Sequence, residues 1–284
     1  MSKKIAFHTL GCKLNYSETS TICREFIDNG YQKVSFDSNI ADYYIINTCT
    51  VTENANRECR KIVNKIKRDN KKAHVLVTGC YAQLKPNEIM QIPGVNSVVS
   101  NANKQDIFQI INNKNKQNSI CYSEIDSNSF YKSYSAVDRT RSFLKIQDGC
   151  DYKCTFCTIP MARGRSRNQS ISDTIDQVKE IVSKGIKEIV LTGVNIGDFG
   201  KTTNETFLEL LIALETMQLK FRIRISSIEP NLLSEKIIDF ISSSKKILPH
   251  FHIPLQSGSQ KILKLMKRRY SIKKYFDSIQ YIKK

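Results

Sequence analysis

The sequence predicts an α/β protein in two parts: a parallel-sheet domain, then the opening units of a barrel-type βα domain. Three observations predict it. Along the first 113 residues, short apolar runs rich in β-branched and aromatic residues alternate with amphipathic stretches. A polar interval, "NNKNKQNSICYSEIDSNSFYKSYSAVDRT" (112–140), then interrupts the pattern. After it the strand–helix alternation resumes, which is the mark of parallel sheets covered by helices. The expected division is 1–115, a linker at 116–139, and 140–284.

In the first part, "KIAFHTL" (4–10), "DYYIINT" (42–48), "HVLVTG" (74–79) and "VNSVVS" (95–100) read as buried strands. Helices are expected from about Ser17, a plausible N-cap, over roughly 53–69, from Pro86 and from about Lys104. In the second part, strands are expected at 142–148, 188–194, 221–228 and 250–255. Helices are expected at 173–184, 205–217, 234–243, 259–268 and from about 271. Four βα units are too few to close a barrel.

At 40% hydrophobic and 25% charged, the 284 residues read as a soluble globular chain. No apolar run approaches the roughly 20 residues of a membrane helix. "MSKKIAFHTLGCKLN" reads as a first strand rather than a signal peptide. A cytoplasmic protein with no membrane partner is expected, with thiols available for metal or catalysis. Against 27 acidic residues stand 44 basic ones, a net charge of +17. The charge is clustered: eight basic and two acidic residues at 57–72, nine and one at 261–284. This is the footprint of a nucleic-acid partner, the alternative being a solvated basic surface.

Six of the nine cysteines fall into two trios. Cys12, Cys49 and Cys80 each follow an expected strand, in "TLGC", "NTC" and "TGC". Carboxyl ends of parallel strands form one ligand-binding edge, so these thiols should converge. Gly11 and Gly79 leave room beside two of them. Plain core packing is the competing reading. Cys150, Cys154 and Cys157 have the spacing C-x3-C-x2-C, directly after the first strand of the second part. Three thiolates at this spacing suit one soft metal centre. Zinc and ferredoxin-type sites ask for four ligands, so a three-cysteine site leaves a metal position open. Cys23, Cys59 and Cys121 receive no ligand role. Gly193, Asn195, Glu229 and Gln256 lie at expected barrel-strand ends, where cofactor groups gather; turn and cap roles are the alternative. Arg163, Arg165 and Arg167 follow the second trio and suit nucleic-acid phosphates or a carboxylate, against simple solvent exposure.

"DGCDYKCTFCTIPMARGRSRNQS" (148–170), with Phe156 as the aromatic before the last cysteine, resembles the cluster motif of radical S-adenosylmethionine enzymes. "TLGCKLNYSE", "INTCTVT", "VTGCYAQ", "LTGVNIGDFG", "RISSIEP" and "HIPLQSGSQKILKLMKR" are similar to the methylthiotransferase branch, and the resemblance covers essentially the whole chain. It is most like the branch acting on N6-threonylcarbamoyladenosine in tRNA. The resemblance implies a flavodoxin-like sheet followed by an incomplete radical-SAM partial barrel. It implies two [4Fe–4S] clusters, one on Cys150, Cys154 and Cys157 and one on Cys12, Cys49 and Cys80. S-adenosylmethionine would bind the open iron of the first, near Phe156, with a reductant protein supplying electrons. The expected reaction is methylthiolation of carbon 2 of the modified adenosine in the tRNA anticodon loop. The alternatives are the same chemistry on N6-isopentenyladenosine or on a ribosomal protein, or a non-enzymatic iron–sulfur or zinc protein that binds RNA. The family usually continues into further βα units and an all-β RNA-binding domain; this chain is expected to lack both.

Overall fold

The computed structural model describes residues 2–38, 40–49, 53–113, 119–136 and 140–284. The chain forms two compact units: Met1–Asp126 with Met161–Arg163, and Ser127–Pro160 with Gly164–Lys284.

The first unit runs β1 (Lys4–Thr9), α1 (Lys13–Asp28), β2 (Gln32–Lys33), β3 (Tyr43–Thr48), α2 (Glu53–Asp69), β4 (His74–Gly79), α3 (Cys80–Leu84), α4 (Pro86–Met90), β5 (Ser97–Val99), α5 (Ile107–Asn112) and β6 (Ile120–Cys121). Its six strands are all parallel, in the order β2-β1-β3-β4-β5-β6. The first five follow the flavodoxin order, whose switch point lies between β1 and β3. Side chains alternate across a strand, so each strand feeds two cores. Tyr44, Ile46, Val75 and Val77 pack with Ile62, Val63 and Ile66 of α2. Ile45 and Leu76 pack on the opposite face with Ile22 and Phe26 of α1 and Ile107, Ile110 and Ile111 of α5. Cys59 is fully buried in the first of these cores, and burial pushes its thiol up to about 12.

α1 begins four residues before the expected Ser17 cap. Cys12 takes the N-cap position with extended backbone. The Ser17 hydroxyl instead donates back to the Leu14 carbonyl (2.8 Å), inside the helix. The helix expected near Lys104 is a 3-10 turn over Asn101–Asp106 that leads into α5.

The second unit runs β7 (Ser142–Lys145), β8 (Gln147–Asp148), α6 (Ile159–Arg163, whose last three residues cluster with the first unit), β9 (Arg167–Asn168), α7 (Ile171–Ser183), β10 (Glu188–Thr192), α8 (Phe207–Thr216), β11 (Arg222–Ile225), α9 (Glu235–Ser243), α10 (Gln260–Leu265) and α11 (Ile272–Lys283). β11, β10 and β7 form a parallel sheet in that order, and β8 pairs with β9 antiparallel. α7, α8, α9, α10 and α11 each start at a Ser or Thr whose hydroxyl accepts the third backbone N–H, and Thr206 with Glu209 closes a full capping box.

The fourth strand expected at 250–255 does not form. Only isolated parallel bridges remain, Ile223 with Ile247 and Ser227 with His252. Pro249 and Pro254 have no N–H to donate, so a continuous ladder cannot assemble there. The interval expected as a linker also does more than connect. β6 adds an edge to the first sheet, and Ser133–Ser135 bond alongside β7. Residues 114–118 and 137–139 of that interval lie outside the described residues, as do residues 50–52 of "INTCTVT".

Candidate functional site

Register places the first trio. Thr9 is opposite Asn47, and Thr48 is opposite Gly79. Counting two residues on from the first pair brings Gly11 level with Cys49, and one residue on from the second brings Cys49 level with Cys80. Cys12 follows Gly11 at the start of α1. Three thiols therefore end three adjacent strands, at the switch point of the sheet. The glycines are needed for close approach. At Gly11 (φ +96°) a Cβ would lie 2.8 Å from Cys49 Sγ, and at Gly79 (φ +105°) one would lie 2.3 Å from the Thr48 carbonyl oxygen.

A buried polar frame holds these strand ends. Asn15 Nδ2 donates to the carbonyls of Leu10 and Thr48, both at 2.9 Å. Asn47 Nδ2 returns a bond to the Asn15 carbonyl (3.0 Å). Beside them Glu18 accepts from Lys104 Nζ (2.6 Å) and Arg163 Nη1 (3.0 Å), all three nearly water-free. Arg163 Nη2 also donates to Asn15 Oδ1 (2.6 Å). Asn101 Nδ2 lies 3.6 Å from Cys80 Sγ. Of this frame only Arg163 was expected to be functional, and as a phosphate contact. At 2% exposure it is a buried ion-pair partner instead. The asparagine of "TLGCKLNYSE" was the readable signal for Asn15.

The second trio sits in the loop after β8. Gln147, fully buried, organises it. Its Nε2 donates to the Asp148 and Gly149 carbonyls and to Ser166 Oγ, while its Oε1 accepts the Asn195 N–H (2.8 Å). Gly149 (φ +70°) lets the Gly164–Arg165 backbone approach, since a Cβ there would stand 2.0 Å from the Arg165 carbonyl oxygen. Cys154 is buried and Cys150 and Cys157 are half-buried. Burial pushes the Cys150 thiol up to about 11, and burial with Cys154 nearby also raises Cys157. A thiol so placed ionises when a cation takes its proton's place.

The other expected residues divide. Gly193 packs on Gln147, where a Cβ would lie 2.8 Å from Oε1. Asn195 is buried, with Nδ2 on Asp198 Oδ2 (2.8 Å). Glu229 pairs with Arg268, which the sequence marks only as one charge in a basic run. Phe156 is 53% exposed. Gln256 is exposed with φ +65°, in a loop rather than after a strand, because the fourth strand is absent. Arg167 is buried, donating to the Ser129 carbonyl (2.7 Å) and facing Asp148, so it too leaves the phosphate-contact set. Arg165 alone of the three arginines is exposed.

Among the described residues, no three His, Cys, Asp or Glu side chains are gathered as ligands of a single metal ion. An iron–sulfur cluster makes a different demand, because each cysteine meets a different iron and the thiolates stand farther apart. The second site suits such a group and a polar ligand beside it. Asn195 Oδ1, Ser226 Oγ, Asn231 Oδ1 and Arg268 Nε, near the carboxyl edge of the β11-β10-β7 sheet, are buried without hydrogen-bond partners among the described residues. Buried polar atoms left in this state are costly unless a ligand or water completes them. The first site offers the gap that Gly11 leaves beside Cys49 and the positive end of α1 at Cys12, which favours an anionic group.

Residues 4–101 match the family described as "Uncharacterized protein family UPF0004", and residues 144–284 match the Radical SAM superfamily. The threonylcarbamoyladenosine tRNA methylthiotransferase MtaB of Bacillus subtilis is 40% identical over 293 residues, spanning 99% of this chain. This chain covers 63% of that protein, under two thirds of its length. The protein of the same name from Aquifex aeolicus is 39% identical, with 98% of this chain and 69% of that one covered. Among solved structures, the radical S-adenosylmethionine methyltransferase TsrM of Kitasatospora setae, determined with cobalamin and a [4Fe–4S] cluster, shares the fold at TM-score 0.61 and 13% identity, over 100% of this chain and 67% of that one. Two family matches in chain order and an Aquifex relative aligned over most of its length agree with the two trios: the chain belongs to the methylthiotransferase family of the radical S-adenosylmethionine superfamily.

Proposed function

We propose that the chain carries the sulfur-donating and radical-generating parts of a cytoplasmic tRNA methylthiotransferase, acting on carbon 2 of N6-threonylcarbamoyladenosine in the anticodon loop. One observation carries the reading: the first unit ends three adjacent parallel strands in three thiols, and the second unit carries three thiols in the single loop after β8. Three ligands leave one iron of a four-iron cluster open for a substrate-side group.

Cys150, Cys154 and Cys157 would hold the cluster that reduces and cleaves S-adenosylmethionine, and Cys12, Cys49 and Cys80 the one that carries the transferred sulfur. The cofactors supply the radical chemistry; this chain's residues position them and keep water away. Gln147 ties the Gly149 carbonyl, at the head of the cysteine loop, to the Asn195 N–H after β10. Asn195, Ser226 and Asn231 present the polar atoms that a cofactor's amino, carboxylate or ribose groups would satisfy. Asn15 and Asn47 lock the strand ends that hold the first trio. A reductant protein supplies the electrons.

The RNA-facing surface is assigned to α2. Arg57, Arg60, Lys61, Lys65 and Arg68 are all exposed on it. Arg60 pairs with Glu88 and Lys65 with Asp37. Contacts of this kind read phosphate rather than sequence, so the base must be chosen elsewhere. Nucleoside analysis of tRNA from a strain lacking the gene tests the reading. Loss of the 2-methylthio form with the parent threonylcarbamoyladenosine retained supports it. Persistence of the 2-methylthio form overturns the substrate assignment.

A further inference from the structure

The basic run "MKRRY" (266–270), expected on charge alone to face solvent or nucleic acid, turns inward onto the cysteine loop. α10 ends in a Schellman cap: the Lys267 N–H donates to the Lys264 carbonyl (3.0 Å) and the Arg268 N–H to the Leu263 carbonyl (2.9 Å). The cap needs a left-handed residue after the helix, and Lys267 supplies it at φ +57° where glycine is usual. That reversal aims the next two side chains back at residues 151–155. Arg269 donates to the Asp151 carbonyl (3.3 Å) and covers the Tyr152 ring at 4.1 Å. The Thr155 N–H reaches the Met266 carbonyl at 3.4 Å. Arg268, with its side chain 4% exposed, donates from Nη1 to Cys154 Sγ (3.2 Å) and from Nη2 to Glu229. Its Nε is buried with no hydrogen-bond partner among the described residues.

One guanidinium thus joins a thiol of the trio to the carboxylate that follows β11. A planar fork can do this, whereas an ammonium cannot span both acceptors in fixed directions. The charge also matters. With a cluster on the trio, two negative groups, the Cys154 thiolate and the Glu229 carboxylate, would face one cation in a place with little water. Hydrogen bonds to ligand sulfurs and nearby positive charge favour the reduced, more negative state of an iron–sulfur cluster.

We propose that Arg268 is a positioning residue for the second trio: it fixes Cys154 against Glu229 and raises the reduction potential of a cluster held there. The inference rests on the reading that this trio binds a cluster. The Met266–Arg269 cap is accordingly the wall of the cysteine loop rather than part of the RNA surface.

The test uses the full chain, reconstituted anaerobically with iron and sulfide, in wild-type, Arg268→Lys, Arg268→Gln and Glu229→Gln forms, each checked for an unchanged thermal melt. The readouts are iron per chain and the midpoint potential of each cluster, with Cys12→Ala as the background that leaves only the second site loaded. Arg268→Gln should retain iron yet be about tenfold harder to reduce, about 59 mV for a one-electron couple. Arg268→Lys should fall between, because it restores the charge and loses the fork. Glu229→Gln should shift the potential the opposite way, since it removes a negative charge and leaves Arg268 on Cys154. A full iron load in Arg268→Gln with an unchanged midpoint overturns the proposal. Absence of iron from the Cys12→Ala background even with Arg268 intact overturns instead the reading of the trio as a cluster site.

Discussion

The two trios assemble three thiols each by opposite routes. Cys12, Cys49 and Cys80 come from three strands and are brought level by sheet register, so their spacing is a property of the whole first unit. Cys150, Cys154 and Cys157 come from one loop, bonded by Gln147 at Gly149 and by the α10 cap at Asp151 and Cys154. The first site is therefore as rigid as its sheet and should fail only when the sheet fails. The second can be lost or retuned by local changes that leave its unit folded. The polar surroundings differ in the same sense: a buried Glu18–Lys104–Arg163 network braces the first, while the second keeps several buried polar atoms unsatisfied beside it. The first reads as a fixed holder, the second as a site that receives a ligand.

Substitutions in matched places can break this contrast. Glu18→Gln leaves Lys104 and Arg163 buried without their shared carboxylate, and removing one member of a buried ion pair costs about 3–5 kcal/mol. A thermal or chemical melt should show the first unit destabilised by that amount, with iron binding at the second trio unchanged. Next come the glycines. Gly79→Ala and Gly149→Ala each force a side chain into left-handed backbone against a carbonyl oxygen, an effect of roughly 3 kcal/mol. Gly79→Ala should lower the melting temperature as well as the iron load of the first site. Gly149→Ala should chiefly cost iron at the second, as measured in Cys12→Ala protein. Core truncation is the control: Ile45→Ala and Ile189→Ala, both fully buried, should each cost about 2–4 kcal/mol in their own unit, read by amide exchange of that unit's strands.

The smallest effect is acid sensitivity of the first unit. Burial, with Lys67 nearby, lowers His74 to about 4, and its Nε2 lies 3.0 Å from Ser97 Oγ. The folded state then resists protonation that the unfolded chain accepts near its ordinary value. The stability from neutral His74 is present above about pH 6.5 and is lost as pH falls toward 4. His74→Gln should flatten that slope in a pH series of melts, and an unchanged slope would remove His74 as its cause.

Much of the first site was legible because its signal is local: an apolar run followed by glycine or threonine and a cysteine marks a strand end. Register, which makes three such ends adjacent, follows from strand order. The bracing network was not legible, since Glu18 and Lys104 are 86 residues apart and nothing nearby in the sequence marks them as partners. The arginines show the limit of charge counting. Arg163, Arg165 and Arg167 look alike in sequence, yet two are buried ion-pair partners and one is exposed. Arg268 was hidden in the same way, inside a basic run that a helix cap folds inward. The missing strand at 250–255 was an apolar run interrupted by proline, where composition outvoted the lost donors.

In the proposed reading both trios hold four-iron clusters, each independently of the other. Iron and sulfide analysis of anaerobically reconstituted protein tests it most directly. About eight irons per chain are expected, with about four in Cys150→Ala and about four in Cys12→Ala. Zinc in place of iron, or a single load of about four irons abolished by either substitution, would contradict it.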